Sequence, residues 1–136
     1  MKVRLNENAF MPERAHAVDA GLDLRTPVDV MLESYGHVEI DTGVAVDIPE
    51  GFVGLLKSKS GLNVNYGIVG EGVIDAGYTG TIHVKLYNLS GRYHKFERGD
   101  KIIQLVVVPC LLEDCVQVET LGETERGEGG FGSTGR

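Results

Sequence analysis

The sequence predicts an all-β protein with one domain of the jelly-roll or β-barrel type and at most one short helix. Apolar and polar residues alternate in several short segments, which is typical of half-buried strands. Glycine accounts for 19 of the 136 residues, which favours tight turns between short strands. No long segment has the apolar spacing of a helix. A chain of this length can bury one hydrophobic core.

Each predicted element has its own pattern. The clearest alternation places Ile82, Val84 and Leu86 on one face of a strand and His83 on the other, where we expect a surface histidine. Gln104 interrupts a long apolar run and must be paired or face a site. The predicted strands are residues 2–5, 38–48, 52–56, 81–88, 99–109 and about 115–118. A helical turn is expected at 62–66, and a hairpin around Gly70-Glu-Gly72.

Composition and charge exclude several classes of protein. The net charge is −7, so the chain lacks the basic surface that binds a nucleic-acid backbone. The first residues lack the apolar run of a signal peptide, and no apolar stretch approaches the length of a membrane span. Cys110 and Cys115 are the only cysteines, which favours two reduced thiols. We therefore expect a cytoplasmic protein without nucleic-acid or membrane partners.

The C-terminal residues 126–136 form a glycine-rich segment that suits a phosphate ligand. Successive glycines let backbone N–H groups converge on phosphate oxygens, and Arg126 can bind phosphate through two nitrogens. Ser133 and Thr134 can donate to the same oxygens, and Phe131 offers a flat face for a base. A plain flexible tail is the alternative interpretation. We expect residues 1–121 to form the core and residues 122–136 to form a flexible arm.

Five ordered segments resemble the five motifs of the homotrimeric dUTP diphosphatase (dUTPase) family. They are residues 19–24, 59–62, 72–80, 98–105 and 126–135, which together extend over nearly the whole chain. The resemblance implies an all-β fold and hydrolysis of dUTP to dUMP and pyrophosphate. This activity keeps uracil out of DNA and supplies dUMP for dTMP synthesis.

The resemblance also implies the role of each site residue. Asp75 would be the general base that deprotonates the attacking water. Tyr78 would pack on the sugar and leave no room for a 2′-hydroxyl, and the backbone around 70–74 would read uracil. The sugar and base residues would be Gly72, Val73, Ile74, Tyr78 and Phe131. The phosphate-binding residues would be Lys59, Ser60, Gly61, Gln104, Arg126, Gly132, Ser133 and Thr134.

The same resemblance implies a metal ion and a shared site. Asp23 would act through water on a Mg²⁺ ion that bridges the triphosphate. Each site would use three subunits of a homotrimer, with the arm closing over the site of a neighbour. From the residues alone, two carboxylates on one strand face, Asp19 and Asp23, can hold a hydrated cation, orient an arginine or simply be solvated.

Two positions depart from the family pattern. Lys59, preceded by Ser58, stands where arginine is usual, so the charge is kept and the two-nitrogen contact is lost. Gly70 stands where asparagine is common, so a side-chain contact to the base would be missing.

Two other functions compete with this interpretation. A dCTP deaminase would carry a glutamate where this chain has Lys85, and lysine cannot act as that carboxylate. A protein that binds a regulatory macromolecular partner remains a second alternative.

Overall fold

The computed structural model of the chain describes residues 1–130, which form eleven strands and one short helix. The strands are β1 (Val3–Leu5), β2 (Gly21–Arg25), β3 (Val30–Leu32), β4 (His37–Asp41), β5 (Val44–Val46), β6 (Phe52–Lys57), β7 (Ile68–Val69), β8 (Glu71–Ile74), β9 (His83–Asn88), β10 (His94–Phe96) and β11 (Lys101–Pro109). The helix is α1 (Ser60–Tyr66). The predicted all-β class with one short helix is confirmed.

The strands belong to four antiparallel sheets. The largest has the order β2-β11-β6-β8, and a second has the order β4-β9-β7. Two pairs, β1-β5 and β10-β3, complete the set within residues 1–130, and no closed barrel forms. Because neighbouring strands are distant in sequence, the largest sheet brings together segments from both ends of the chain.

The core is built from the inward faces of these strands. β9 alternates exposed and buried residues along its whole length, which confirms the predicted inward positions of Ile82, Val84 and Leu86. β11 adds Ile102, Ile103 and Leu105 from the centre of the largest sheet. The sheets therefore enclose one apolar core. Packing against this core fixes the positions of the strands, and polar residues lie at the strand ends and at the sheet edges.

The predicted strand over residues 38–48 is divided into β4 and β5 by a turn at Thr42 and Gly43. Gly43 has a φ of +68°, and its N–H donates to Asp41 Oδ1 at 2.9 Å. The turn lets the chain leave the β4-β9-β7 sheet and pair with β1. Alternation alone does not reveal this break because both strands keep apolar residues buried.

The predicted hairpin around Gly70 is wrong. β7 pairs with β9 and β8 pairs with β6, so the chain changes sheets at Gly70. A Cβ at Gly70 would lie 2.9 Å from the carbonyl oxygen of Lys85 and 3.0 Å from Leu86 Cδ2. The missing side chain is therefore required for close packing, and an asparagine in this backbone would point into the core.

The predicted strand at 115–118 is also wrong. Residues 110–130 form no helix or strand, and most of them are exposed. A strand needs a partner, and no other segment of residues 1–130 pairs with this one. None of the helical structure in the described part of the chain is long and apolar enough to cross a membrane.

Candidate functional site

The first polar cluster surrounds Asp23, the central residue of β2. Asp23 is 5% exposed, and its carboxylate lies between two ammonium groups. Lys101 Nζ donates to Asp23 Oδ2 at 2.7 Å, and Lys59 Nζ donates to Asp23 Oδ1. Lys101 begins β11, and Lys59 follows β6, so the cluster joins three strands of the largest sheet through their side chains.

The charge state of Asp23 follows from this environment. Burial raises the pKa of the carboxyl group, but the hydrogen bonds and charges of Lys101 and Lys59 outweigh burial and lower the pKa below its ordinary value. Asp23 is therefore ionised at neutral pH. The three side chains together carry one net positive charge in a chain whose net charge is −7.

Gln104 lies next to this cluster. It is the register partner of Asp23, and its Nε2 donates to the carbonyl oxygen of Ser58 at 3.2 Å. A Cβ at Gly21 would overlap the Gln104 side chain, so glycine leaves the space that the amide fills. The Gln104 amide is thus hydrogen-bonded and also lines a cleft, in agreement with the expectation from its place in an apolar run.

Asp23 and Gln104 line an open cleft of about 340 Å³. The cleft also contains Lys59 and a second carboxylate, Asp19. The N–H of His16 donates to Asp19 Oδ2 at 2.9 Å, which holds that carboxylate at the rim. The cleft therefore presents lysine, amide and carboxylate groups to the same volume.

The second cluster lies just after β8, in the turn that carries Asp75 and Tyr78. The Tyr78 N–H donates to the Asp75 carbonyl oxygen at 3.2 Å, and Gly77 between them has a φ of +84°. The Tyr78 hydroxyl donates to the Thr81 carbonyl oxygen at 3.0 Å. A cleft of about 230 Å³ is lined by Val73, Ile74, Asp75, Tyr78, Thr81 and His83.

The two clusters lie at opposite edges of the largest sheet. Asp23 is in register with Gln104, Gln104 with Lys57, and Lys57 with Glu71 on β8. Three strand spacings and the three further residues from Glu71 to Ile74 put the backbones of Asp23 and Ile74 roughly 17 Å apart. One chain therefore does not bring Asp75 and Asp23 together.

The other predicted site residues that the structure describes lie outside these two clefts. Ser60 and Gly61 are exposed at the start of α1, where Lys59 is the N-cap residue without a side-chain capping bond. Ser60 is therefore the first residue of the helix and not its N-cap. Gly72 pairs with Leu56 across β8 and β6. Arg126 is exposed, and its Nε donates to the Gly129 carbonyl oxygen at 2.9 Å.

Four predicted residues cannot be placed. Phe131, Gly132, Ser133 and Thr134 lie outside the described residues, so their assignments remain predictions.

Sequence reasoning missed two residues of these clusters. Lys101 lies in the segment 98–105 and has no role in the sequence-based prediction, although its ammonium group contacts Asp23. His83 was expected on the surface, and it is exposed, but it also lines the Asp75 cleft with Nδ1 2.9 Å from Glu39 Oε1. The alternation of apolar and polar residues predicts only which face of a strand is exposed. It does not predict which side chains of distant strands meet, because those contacts depend on register.

The residues around Asp23 fit a Mg²⁺ ion that is coordinated mainly by the phosphate oxygens of a bound nucleotide and by water. Within residues 1–130, no three His, Cys, Asp or Glu side chains form a group that could hold a metal alone. Mg²⁺ commonly uses one or two carboxylates together with water and phosphate oxygens. Each Asp23 oxygen accepts a hydrogen bond from one lysine and has a second lone pair, which can accept a hydrogen bond from a metal-bound water.

Comparisons with known proteins place the chain in one family. The dUTPase family model matches residues 7–135. The deoxyuridine 5′-triphosphate nucleotidohydrolase of Nocardia farcinica is 46% identical over 136 residues, which cover 97% of this chain and 82% of that protein. The enzyme of the same name from Clostridium tetani is 37% identical over 140 residues, which cover 100% of this chain and 97% of the relative.

Solved structures show the same similarity. The Staphylococcus bacteriophage 80alpha dUTPase with dUpNHpp has a TM-score of 0.89 and 38% identity, covering 99% of this chain and 98% of the phage chain. A mutant dUTPase from phage phi11 of S. aureus, whose structure describes the coordination of a structural Mg(II) ion, has a TM-score of 0.81 and 37% identity, covering 88% of this chain and 97% of that one. The sequence and fold agree over nearly the whole length, and the chain therefore belongs to the dUTPase family, the deoxyuridine 5′-triphosphate nucleotidohydrolases.

Proposed function

We propose that the chain hydrolyses dUTP to dUMP and pyrophosphate, and thereby keeps uracil out of DNA and supplies dUMP for dTMP synthesis. The observation that carries this proposal is the pair of clefts in a chain of the dUTPase family. One cleft combines an exposed carboxylate with an aromatic side chain, and the other combines lysine, amide and carboxylate groups. The first cleft suits the nucleoside of a nucleotide, and the second suits its phosphates.

Asp75 is the proposed general base. Its side chain is exposed, and among the hydrogen bonds of residues 1–130 none ends on its carboxylate. A water molecule can therefore bind to it, and the carboxylate can accept a proton as that water attacks the α-phosphorus. Tyr78 lies in the same cleft, where its ring would pack on the deoxyribose.

The base of the nucleotide would lie against β8. Gly72, Val73 and Ile74 precede Asp75 on this strand, and Val73 is 63% exposed. Because β8 is an edge strand of its sheet, the backbone N–H and C=O groups on its outer side do not pair with another strand of residues 1–130. These groups can form hydrogen bonds with the polar edge of uracil. Phe131 is proposed to cover the other face of the base.

The Asp23 cleft is the proposed binding site for the phosphates. Lys59 and Gln104 line it, and Ser60 and Gly61 follow Lys59 directly. Lysine ammonium groups and an amide N–H can donate to phosphate oxygens, and the local positive charge favours a polyanion. When bound, Mg²⁺ would neutralise part of the charge on the triphosphate oxygens. Asp23 would hold a water of that ion, as an ionised and oriented acceptor.

The separation of the two clefts supports a site shared between subunits. A distance of roughly 17 Å across one sheet is too long for one α-phosphorus to contact both Asp75 and the groups near Asp23. If copies of the chain associate, the Asp75 cleft of one subunit can face the Asp23 cleft of its neighbour. We propose a homotrimer with sites of this kind.

Exposed apolar side chains also support self-association. Residues 110–121 carry five large apolar side chains on the surface: Leu111, Leu112, Val116, Val118 and Leu121. An apolar segment without cover in one chain is stabilised by burial against a second copy. Residues 122–136 follow this segment in the chain and would close over a neighbouring site, where Arg126, Gly132, Ser133 and Thr134 would bind phosphate.

The proposal includes a cytoplasmic location, which is compatible with the free thiols of Cys110 and Cys115.

Pyrophosphate release from dUTP, dCTP, dTTP and UTP, each with Mg²⁺, tests the proposed reaction. Ammonia is followed in parallel. We expect rapid pyrophosphate release from dUTP alone and no ammonia. Ammonia from dCTP would instead indicate a deaminase despite Lys85, whose ammonium lies 5.6 Å from the Tyr87 ring centroid on the surface of β9. No reaction with any of the four nucleotides would contradict the proposal and favour a binding role.

A further inference from the structure

The ring of Tyr78 lies directly over Gly80. A Cβ at Gly80 would lie 2.6 Å from Tyr78 Cζ and 3.0 Å from Tyr78 Cε2, and it would overlap the hydroxyl oxygen. Real Cβ atoms do not approach other atoms so closely. The Tyr78 side chain therefore occupies the volume that any other residue at position 80 would fill.

The backbone on both sides of Gly80 is held by hydrogen bonds. Arg4 donates through Nη2 to the Thr79 carbonyl oxygen at 3.1 Å. The Ile82 N–H donates to the Val44 carbonyl oxygen at 2.8 Å, and the Thr42 hydroxyl donates to the Ile82 carbonyl oxygen at 2.8 Å. These bonds join the loop to β1, to β5 and to the turn between β4 and β5. The backbone at Gly80 is therefore the fixed partner, and the tyrosine side chain is the movable one.

The surroundings of Tyr78 agree with this assignment. The residue is 46% exposed, so its ring can rotate toward solvent without disrupting the core. The backbone of Gly80 does not have a left-handed φ, so alanine can adopt it. A methyl group at position 80 would displace the ring and separate its hydroxyl from the Thr81 carbonyl oxygen, 3.0 Å away.

We propose that Gly80 is a specificity-determining positioning residue, because its missing side chain lets the Tyr78 ring fold onto the loop in the orientation that excludes a 2′-hydroxyl. This inference rests on the proposed function, in which Tyr78 packs on the deoxyribose. Gly80 acts only through Tyr78, so its effect is on the choice between dUTP and UTP.

A double-mutant cycle with Gly80→Ala and Tyr78→Ala tests the proposal. The kcat/KM values for dUTP and UTP are measured for the full-length parent protein, both single variants and the double variant. We expect Gly80→Ala to lower the dUTP/UTP ratio about tenfold or more, mainly through KM, as for loss of one pocket contact. We expect no additional fall when Gly80→Ala is combined with Tyr78→Ala, because the displaced ring is then absent.

Gly91→Ala is the matched control. Gly91 also lies beside a tyrosine, but its added Cβ would be 3.4 Å from Tyr35 Oη, which is close to ordinary contact. We expect the parent ratio for this variant. A Gly80→Ala ratio within about twofold of the parent would overturn the inference, as would an equal loss in the Tyr78→Ala background.

Other outcomes separate this inference from the proposed function. If Tyr78→Ala leaves the ratio unchanged, the role of Tyr78 in the proposed function is wrong and the inference is overturned with it. If Gly80→Ala unfolds, thermal unfolding of the double variant decides the matter. Recovery of folding in the double variant supports the overlap with Tyr78, and continued unfolding overturns it.

Discussion

The ammonium group of Lys101 lies 2.7 Å from Asp23 Oδ2, and this contact connects the start of β11 to the middle of β2. Lys59 contacts the other oxygen of the same carboxylate from the end of β6. The cluster is therefore a structural connection as well as a proposed phosphate-binding surface. Loss of this buried carboxylate would leave Lys59 and Lys101 without their shared partner.

Asp23→Asn is expected to destabilise the fold. The change removes the negative charge between Lys59 and Lys101, whose side chains are 26% and 35% exposed. Solvent screening of the lysines reduces the cost from that of a fully buried pair to about 2 kcal/mol. Chemical denaturation measures this change in unfolding free energy. The surface variant Asp47→Asn breaks only the exposed contact with Lys2 and should leave stability unchanged.

The same carboxylate predicts a pH dependence of stability. Because the pKa of Asp23 in the folded chain is below the ordinary value of 3.8, its ionised form stabilises the fold above that value. This contribution is lost as the pH falls through the lowered folded pKa. Unfolding free energies measured between neutral and strongly acidic pH should show the loss in the parent protein. A parent protein and Asp23→Asn variant with the same acid profile would contradict the prediction.

Asp75→Asn is expected to abolish turnover while dUTP still binds. The amide keeps the size and exposure of the side chain but cannot accept the proton of the attacking water. Steady-state kinetics and binding of dUTP with Mg²⁺ measure the two effects separately. Turnover within about tenfold of the parent would show that Asp75 is not the general base.

Deletion of residues 126–136 is expected to leave a folded, oligomeric protein with very low activity. Within the described part of the deleted segment, residues 126–130 add no strand or helix to the fold, so we expect the core to form without it. Circular dichroism, size-exclusion chromatography with light scattering and pyrophosphate release measure fold, assembly and activity. An unfolded truncated protein would mean that the segment is structural, and full activity would contradict its role at the site.

Gly70→Ala is expected to destabilise the protein by about 1–3 kcal/mol, the usual cost of overpacking. The added methyl group would meet the Lys85 carbonyl oxygen at 2.9 Å and Ile103 Cδ1 at 3.0 Å. Thermal unfolding measures the change. Gly130→Ala is the control, since an added Cβ there meets nothing within 4 Å. Equal stability of both variants would mean that the crossing at Gly70 is not closely packed.

Much of the architecture could be predicted from local pattern. The alternation in residues 81–88 gave β9 and its buried face, because a strand with one face in the core places every second side chain inward. The division of residues 38–48 and the crossing at Gly70 could not be predicted in this way. Both depend on which strand each segment pairs with, and residues distant in sequence decide that pairing.

The sequence by itself determined the all-β class, the family resemblance and the residue types available for chemistry, because these depend on local alternation and on motifs within short segments. Tertiary structure alone decided that Lys101 shares Asp23 with Lys59, that His83 lines the Asp75 cleft and that Tyr78 lies over Gly80. It also decided that the Asp23 and Asp75 clusters lie at opposite edges of one sheet. The physical reason is that strand order and register, which set every contact between distant segments, follow from packing of the whole core.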